Sequence, residues 1–123
     1  MNLTLHYGWL GVLEAGAIAF AIGAVICLIW RPLCRLMGLD TGHVIGWASF
    51  ASVLISAGID LRHLVSLFFV NPGSPAYAQQ ALAGIHDPDR LGLRVLLEII
   101  GALTGVVLVW LAYEQIGKQR PRD

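Results

Sequence analysis

Three long apolar stretches dominate this sequence: Trp9 to Trp30, His43 to His63 and Gly92 to Tyr113. Each is long enough to cross about 30 Å of hydrocarbon as an α-helix, which takes about 20 mostly apolar residues. With 123 residues in all, three spans and their connections use nearly the whole chain, so no room is expected for a separate soluble domain. The composition agrees: 57% of residues are hydrophobic, 13% are charged and mean hydropathy is +0.72, whereas ordinary soluble domains carry about 25% charged residues. The predicted fold is all-α, a single three-helix transmembrane domain over residues 1–123.

The first span, 9–30, has a tryptophan at each end, as suits interfacial anchors, and is expected to stop at Arg31-Pro32. The second is predicted over 43–63. Beyond its polar group Asp60, Arg62 and His63 the chain turns apolar again, from Leu64 to Val70, before Asn71-Pro72-Gly73 forces a turn. A helix from His43 to Val70 would be about 42 Å long, so the tail either projects into a partner or bends along the interface. In the connection 71–90, Ser74-Pro75 reads as an N-cap followed by proline at the first helical position, with Gly84 as a C-cap, which predicts a short helix between them. The third span covers 92–113, and residues 114–123 form a basic tail with Lys118, Arg120 and Arg122.

Orientation follows from basic residues. Arg31 and Arg35 occupy the first connection and three more the tail, while Met1 to Gly8 has none. The positive-inside rule then predicts an external N-terminus, a cytoplasmic C-terminus and an external short helix, in a bacterial inner membrane. The missing basic n-region also argues that the first apolar segment is not a cleaved signal peptide.

That orientation puts Glu14, Asp60, Arg62, His63, Arg94 and Glu98 at one depth, in the outer third of the bilayer. A carboxylate inside a membrane costs roughly 2.5 to 3.5 kcal/mol at the helix centre and less near an interface, so these groups need partners. One reading is an interhelical ion-pair layer that fixes helix register. The other is a proton or cation site, for which Glu14 is the foremost candidate because no basic residue on its own helix is in reach. Glu98 is the weakest candidate, since Arg94 sits one turn earlier. Small residues recur every four positions: Gly11, Ala15, Ala19 and Gly23 in the first span, Ala48, Ser52 and Ser56 in the second, Gly101 and Gly105 in the third. Such stripes let helix backbones approach closely where lipid supplies no hydrophobic drive.

Several chemistries are disfavoured. Net charge is zero and the basic residues form no dense run, which argues against nucleic-acid binding. Cys27 and Cys34 lie seven apart, matching neither a CxxC pair nor a zinc cluster, and read as free thiols. No GxSxG, P-loop, GxGxxG or HExxH motif is present, so a non-catalytic chain without a metal site is expected. Haem through His63 would need a second imidazole, but His43 is at the opposite end of the same predicted helix, and His6 and His86 lie in connecting segments. The sequon Asn2-Leu3-Thr4 is short enough to arise by chance.

The run Gly58-Ile59-Asp60-Leu61-Arg62-His63-Leu64 resembles, with two residues inserted, the Gly-Ile-Arg-His-Leu type of run in membrane anchors of succinate dehydrogenase. Glu14 in a first span is similar to the acidic residue of small multidrug transporters, which have four spans. No site residue is carried over from either. Three spans with an external N-terminus and a basic cytoplasmic tail resemble one class of phage holins in architecture. The function expected first is an accessory or assembly subunit of a larger membrane complex (respiratory, photosynthetic, secretion or transport). Its partners would be membrane lipid and either a larger membrane protein or copies of itself. The alternatives are a homo-oligomeric proton- or cation-coupled transporter or channel using Glu14 or Asp60, a holin-like pore former, and a haem or quinone anchor.

Overall fold

The computed structural model describes residues 5–69 and 73–119. The Asn2 sequon, Val70, the Asn71-Pro72 turn, and Arg120 and Arg122 of the tail lie outside these residues. Among the described residues the chain is all helical, with four α-helices: α1 Trp9–Leu36, α2 Thr41–Phe68, α3 Pro75–Ala83 and α4 Leu91–Gln119. Three of them, α1, α2 and α4, are long and apolar enough to cross a membrane, so this is a multi-pass membrane protein. At 1.5 Å per residue each is about 42 to 44 Å long, leaving turns at both ends beyond the hydrocarbon.

The expected stop at Arg31-Pro32 is not where α1 ends. The helix runs through Pro32 to Leu36. Proline removes one backbone donor and crowds the carbonyl four residues back, but Pro32 is exposed and both flanking turns pack, with Cys27 and Cys34 buried against the bundle. What ends the helix is Gly38, with φ of 70°. The Leu39 N–H donates to the Cys34 carbonyl (2.9 Å) and the Gly38 N–H to that of Arg35 (3.3 Å), closing the last turn in a Schellman motif. Asp40 then caps α2, its carboxylate accepting the His43 N–H at 3.1 Å.

α2 continues without a break through Asp60, Arg62 and His63 to Phe68. Part of its apolar tail is covered by this same chain: Leu64 and Leu67 pack against Ile85, Leu91 and Val95. Phe68 and Phe69 remain 80% and 83% exposed. The short helix α3 lies between Ser74 and Gly84, as their types predict, and buries none of its residues.

α1 and α4 form the most extensive helix pair, and α2 packs against both. Glycine makes the first seam possible. A Cβ at Gly23 would run into the Ala102 carbonyl, one at Gly101 into the Gly16 carbonyl, and one at Gly105 into the Phe20 carbonyl. The backbones therefore touch directly, as expected where close approach replaces hydrophobic drive. The buried stripe of α1 runs Gly11, Ala15, Ala19, Gly23 and on to Cys27, and that of α2 includes Ala48, Ser52 and Ser56. Both cysteines are free.

Candidate functional site

The α2 stripe ends in charge. One turn beyond Ser56, Asp60 is 1% exposed, and Arg94 and Glu98 of α4 face it at 3% and 0%. The Arg94 Nε lies 3.1 Å from Asp60 Oδ2 and 3.8 Å from Glu98 Oε1, one guanidinium serving carboxylates on two helices. Removing such ions from water costs several kcal/mol each, which only close pairing and hydrogen bonding recover. The two serines beneath each donate to a carbonyl one turn back in α2. Ser52 Oγ donates to the Ala48 carbonyl (2.5 Å) and Ser56 Oγ to the Ser52 carbonyl (2.7 Å).

The other residues expected in the polar layer are placed elsewhere. Arg62 is exposed. At about 100° per residue it lies about 200° around α2 from Asp60, which turns it away from Arg94. His63 is half-buried, and its Nδ1 is enclosed without a hydrogen-bond partner among the described residues. Glu14 is separate from the cluster and meets His6, whose Nδ1 lies 2.7 Å from Oε1 and whose backbone N–H donates to Oε2 at 3.2 Å. This pair faces an open groove of about 390 Å³ bordered by Leu5, Ala17 and Ile18.

His6 is the partner that sequence spacing did not supply, because it depends on the N-terminal segment folding back over α1. That segment is fastened to the connection before α4. His86 Nε2 is 2.7 Å from the Leu5 carbonyl, the Tyr7 and His86 rings are 4.6 Å apart, and the Gly8 N–H donates to Asp87 Oδ2 at 2.7 Å. Arg90 lies over the Trp9 ring at 5.1 Å. Gly11 permits this fold-back, since a Cβ there would strike the His6 carbonyl.

At the opposite end of the bundle, His43 Nδ1 pairs with Asp40 Oδ1, and this bond, together with the capping bond from the His43 N–H, holds the Asp40 carboxyl below its ordinary pKa. No group of three or more histidine, cysteine or acidic side chains is arranged to hold a metal among the described residues. Comparison with protein-family models, curated proteins and solved structures finds no match.

Proposed function

We propose that this chain is a non-catalytic accessory or assembly subunit of a larger complex in a bacterial inner membrane, with its N-terminus and α3 outside and its C-terminus in the cytoplasm. The orientation rests on Arg31 and Arg35 at the end of α1 and on the basic residues at the end of the chain. The subunit reading rests on the two sides of α2. Its inner small residues, Ala48, Ser52 and Ser56, serve this bundle. On another side, Gly42 and Gly46 are exposed and line, with Asp40, His43, Trp47 and Phe50, a mainly apolar groove of about 560 Å³. Two glycines four apart on an outward face suit the backbone of a further helix.

The enclosed ion cluster supports the non-catalytic part of this reading, since a carboxylate that exchanges protons or cations must be reached from water. The test is gentle extraction of tagged protein from its native membrane with mass analysis of what accompanies it. A large hetero-complex is expected, and Gly46→Leu should release it while leaving the fold intact, because nothing lies within 4 Å of a Cβ at that position. A homo-oligomer unaffected by Gly46→Leu would overturn the reading.

One observation favours a second reading, a homo-oligomeric proton- or cation-coupled transporter. Glu14 and His6 form a titratable pair beside an open groove, not an enclosed one. Proton-coupled flux in proteoliposomes that disappears in Glu14→Gln would establish it, and unchanged flux would remove Glu14 from any mechanism.

A further inference from the structure

At the end of the bundle opposite the ion cluster, α1, α2 and α4 enclose a cavity of about 170 Å³. Arg31 and Arg35 line it from α1, Thr41 from the first turn of α2, and Trp110 and Glu114 from α4. Neither arginine forms an ion pair with a carboxylate among the described residues, although Glu114 borders the same space. The Arg31 guanidinium lies over the Tyr113 ring at 4.0 Å, which fixes its plane and leaves its N–H edges for a ligand. The indole N–H of Trp110 is buried and has no acceptor among the described residues. Two guanidinium groups that form no ion pair with a carboxylate among the described residues thus line one small space.

We propose that this cavity holds the phosphate of a membrane phospholipid whose head group carries an N–H or O–H donor, such as ethanolamine or glycerol. A phosphate group suits planar, many-donor guanidinium groups, and Glu114 accepts from the head-group donor. The size of the cavity selects a lipid over a free metabolite. Pockets that enclose a drug-sized molecule measure about 300 to 1,000 Å³, so this one takes only the head of a larger molecule. The rest of that molecule has somewhere to lie: Leu39, which lines the cavity, is exposed, and Leu36 and Leu111 are exposed on the two helices that flank it. The position is a helix end in a membrane-spanning bundle, the level at which head groups sit, and basic pockets between spans are known binding places for anionic head groups.

The proposal is tested by native mass spectrometry of the purified protein in detergent with equal amounts of phosphatidylethanolamine, phosphatidylglycerol and phosphatidylcholine. The first two should be retained about tenfold over the choline lipid, whose quaternary ammonium has no donor for Glu114. Each arginine near a membrane surface contributes enough to change binding about fivefold, so Arg35→Gln, at an exposed position that folding does not require, should lower retention by about that factor. Arg31→Gln with Arg35→Gln should lower retention of all three lipids to background, since the two arginines hold the phosphate they share, and Glu114→Ala should abolish the discrimination against the choline lipid. Equal retention of the choline lipid, or unchanged retention in both arginine variants, would overturn the proposal. Displacement of the lipids by millimolar inorganic phosphate would overturn the lipid assignment in favour of a free phosphate.

Discussion

The two seams that join α4 to its neighbours are built on opposite principles. Against α1, glycine backbone meets backbone: Gly23 on Ala102, Gly101 on Gly16, Gly105 on Phe20. Against α2, charged side chains meet, with Arg94 between Asp60 and Glu98. The first seam is held by shape and tolerates no added atoms. The second adds a charge cluster to apolar packing, and what that cluster tolerates is the removal of all its members together but not of one alone. Membrane helices need such devices because lipid is as apolar as leucine and gives helices no hydrophobic reason to pair.

The largest expected effect separates these two cases. Arg94→Met leaves two enclosed carboxylates without the cation between them, and loss of one partner of a buried pair costs about 3 to 5 kcal/mol. Thermal unfolding in detergent should show the protein destabilised or unfolded. Replacing Asp60, Arg94 and Glu98 together by Leu, Met and Leu should instead be neutral or stabilising, by up to about 4 kcal/mol. If the triple variant folds but its assembly or transport activity is gone, the cluster has a chemical role beyond joining α2 to α4.

A smaller loss is expected at the other seam. Gly23→Ala and Gly105→Ala each force a Cβ into a facing carbonyl and should cost about 1 to 3 kcal/mol, the usual range for overpacking. Gly46→Ala, on the outward face of α2, should leave the melting temperature unchanged. Equal effects at Gly23 and Gly46 would show that the α1–α4 backbones do not touch as described.

The Glu14–His6 pair belongs to neither seam. Glu14→Gln should leave the melting temperature where it is, because His6 is exposed, Glu14 borders an open groove, and ion pairs open to solvent contribute little. A marked loss of stability would place Glu14 among the structural charges after all. The smallest effect concerns Asp40. Its folded-state pKa is lowered by His43, so its contribution to α2 is present above the ordinary aspartate value of about 3.9 and fades as pH falls through the lower folded value. Stability measured between pH 5 and pH 3 should therefore show a shallow acid decline that Asp40→Ala removes, and an identical decline in the variant would assign it to other carboxylates.

Much of the fold was legible before any coordinates. Three spans follow from apolar length alone, the four-residue spacing of Gly11 to Gly23 and Ala48 to Ser56 marks the faces that are buried, and Ser74-Pro75 with Gly84 bounds a helix that forms where local rules place it. The site was only half legible. Arg94 and Glu98 share a face by spacing, and Asp60 continues the stripe of α2, so their meeting could be anticipated. Depth alone also grouped Glu14 and Arg62 with them, and depth says nothing about azimuth. Arg62 is about 200° around its helix from Asp60, and Glu14 is claimed by a histidine that reaches it through the fold-back of the N-terminal segment.

Local sequence therefore determined what each segment is: its apolar length, its caps and its small-residue face, all set by interactions within a few residues. Tertiary structure decided which groups meet. It carried α1 past Pro32 to the left-handed turn at Gly38, set one arginine between two carboxylates, paired Glu14 with His6, and brought Arg31, Arg35 and Glu114 to one cavity. The physical reason is that helix propensity and hydropathy depend on near neighbours, whereas ion pairing and close packing depend on the rotation and offset of whole helices, which no single segment contains.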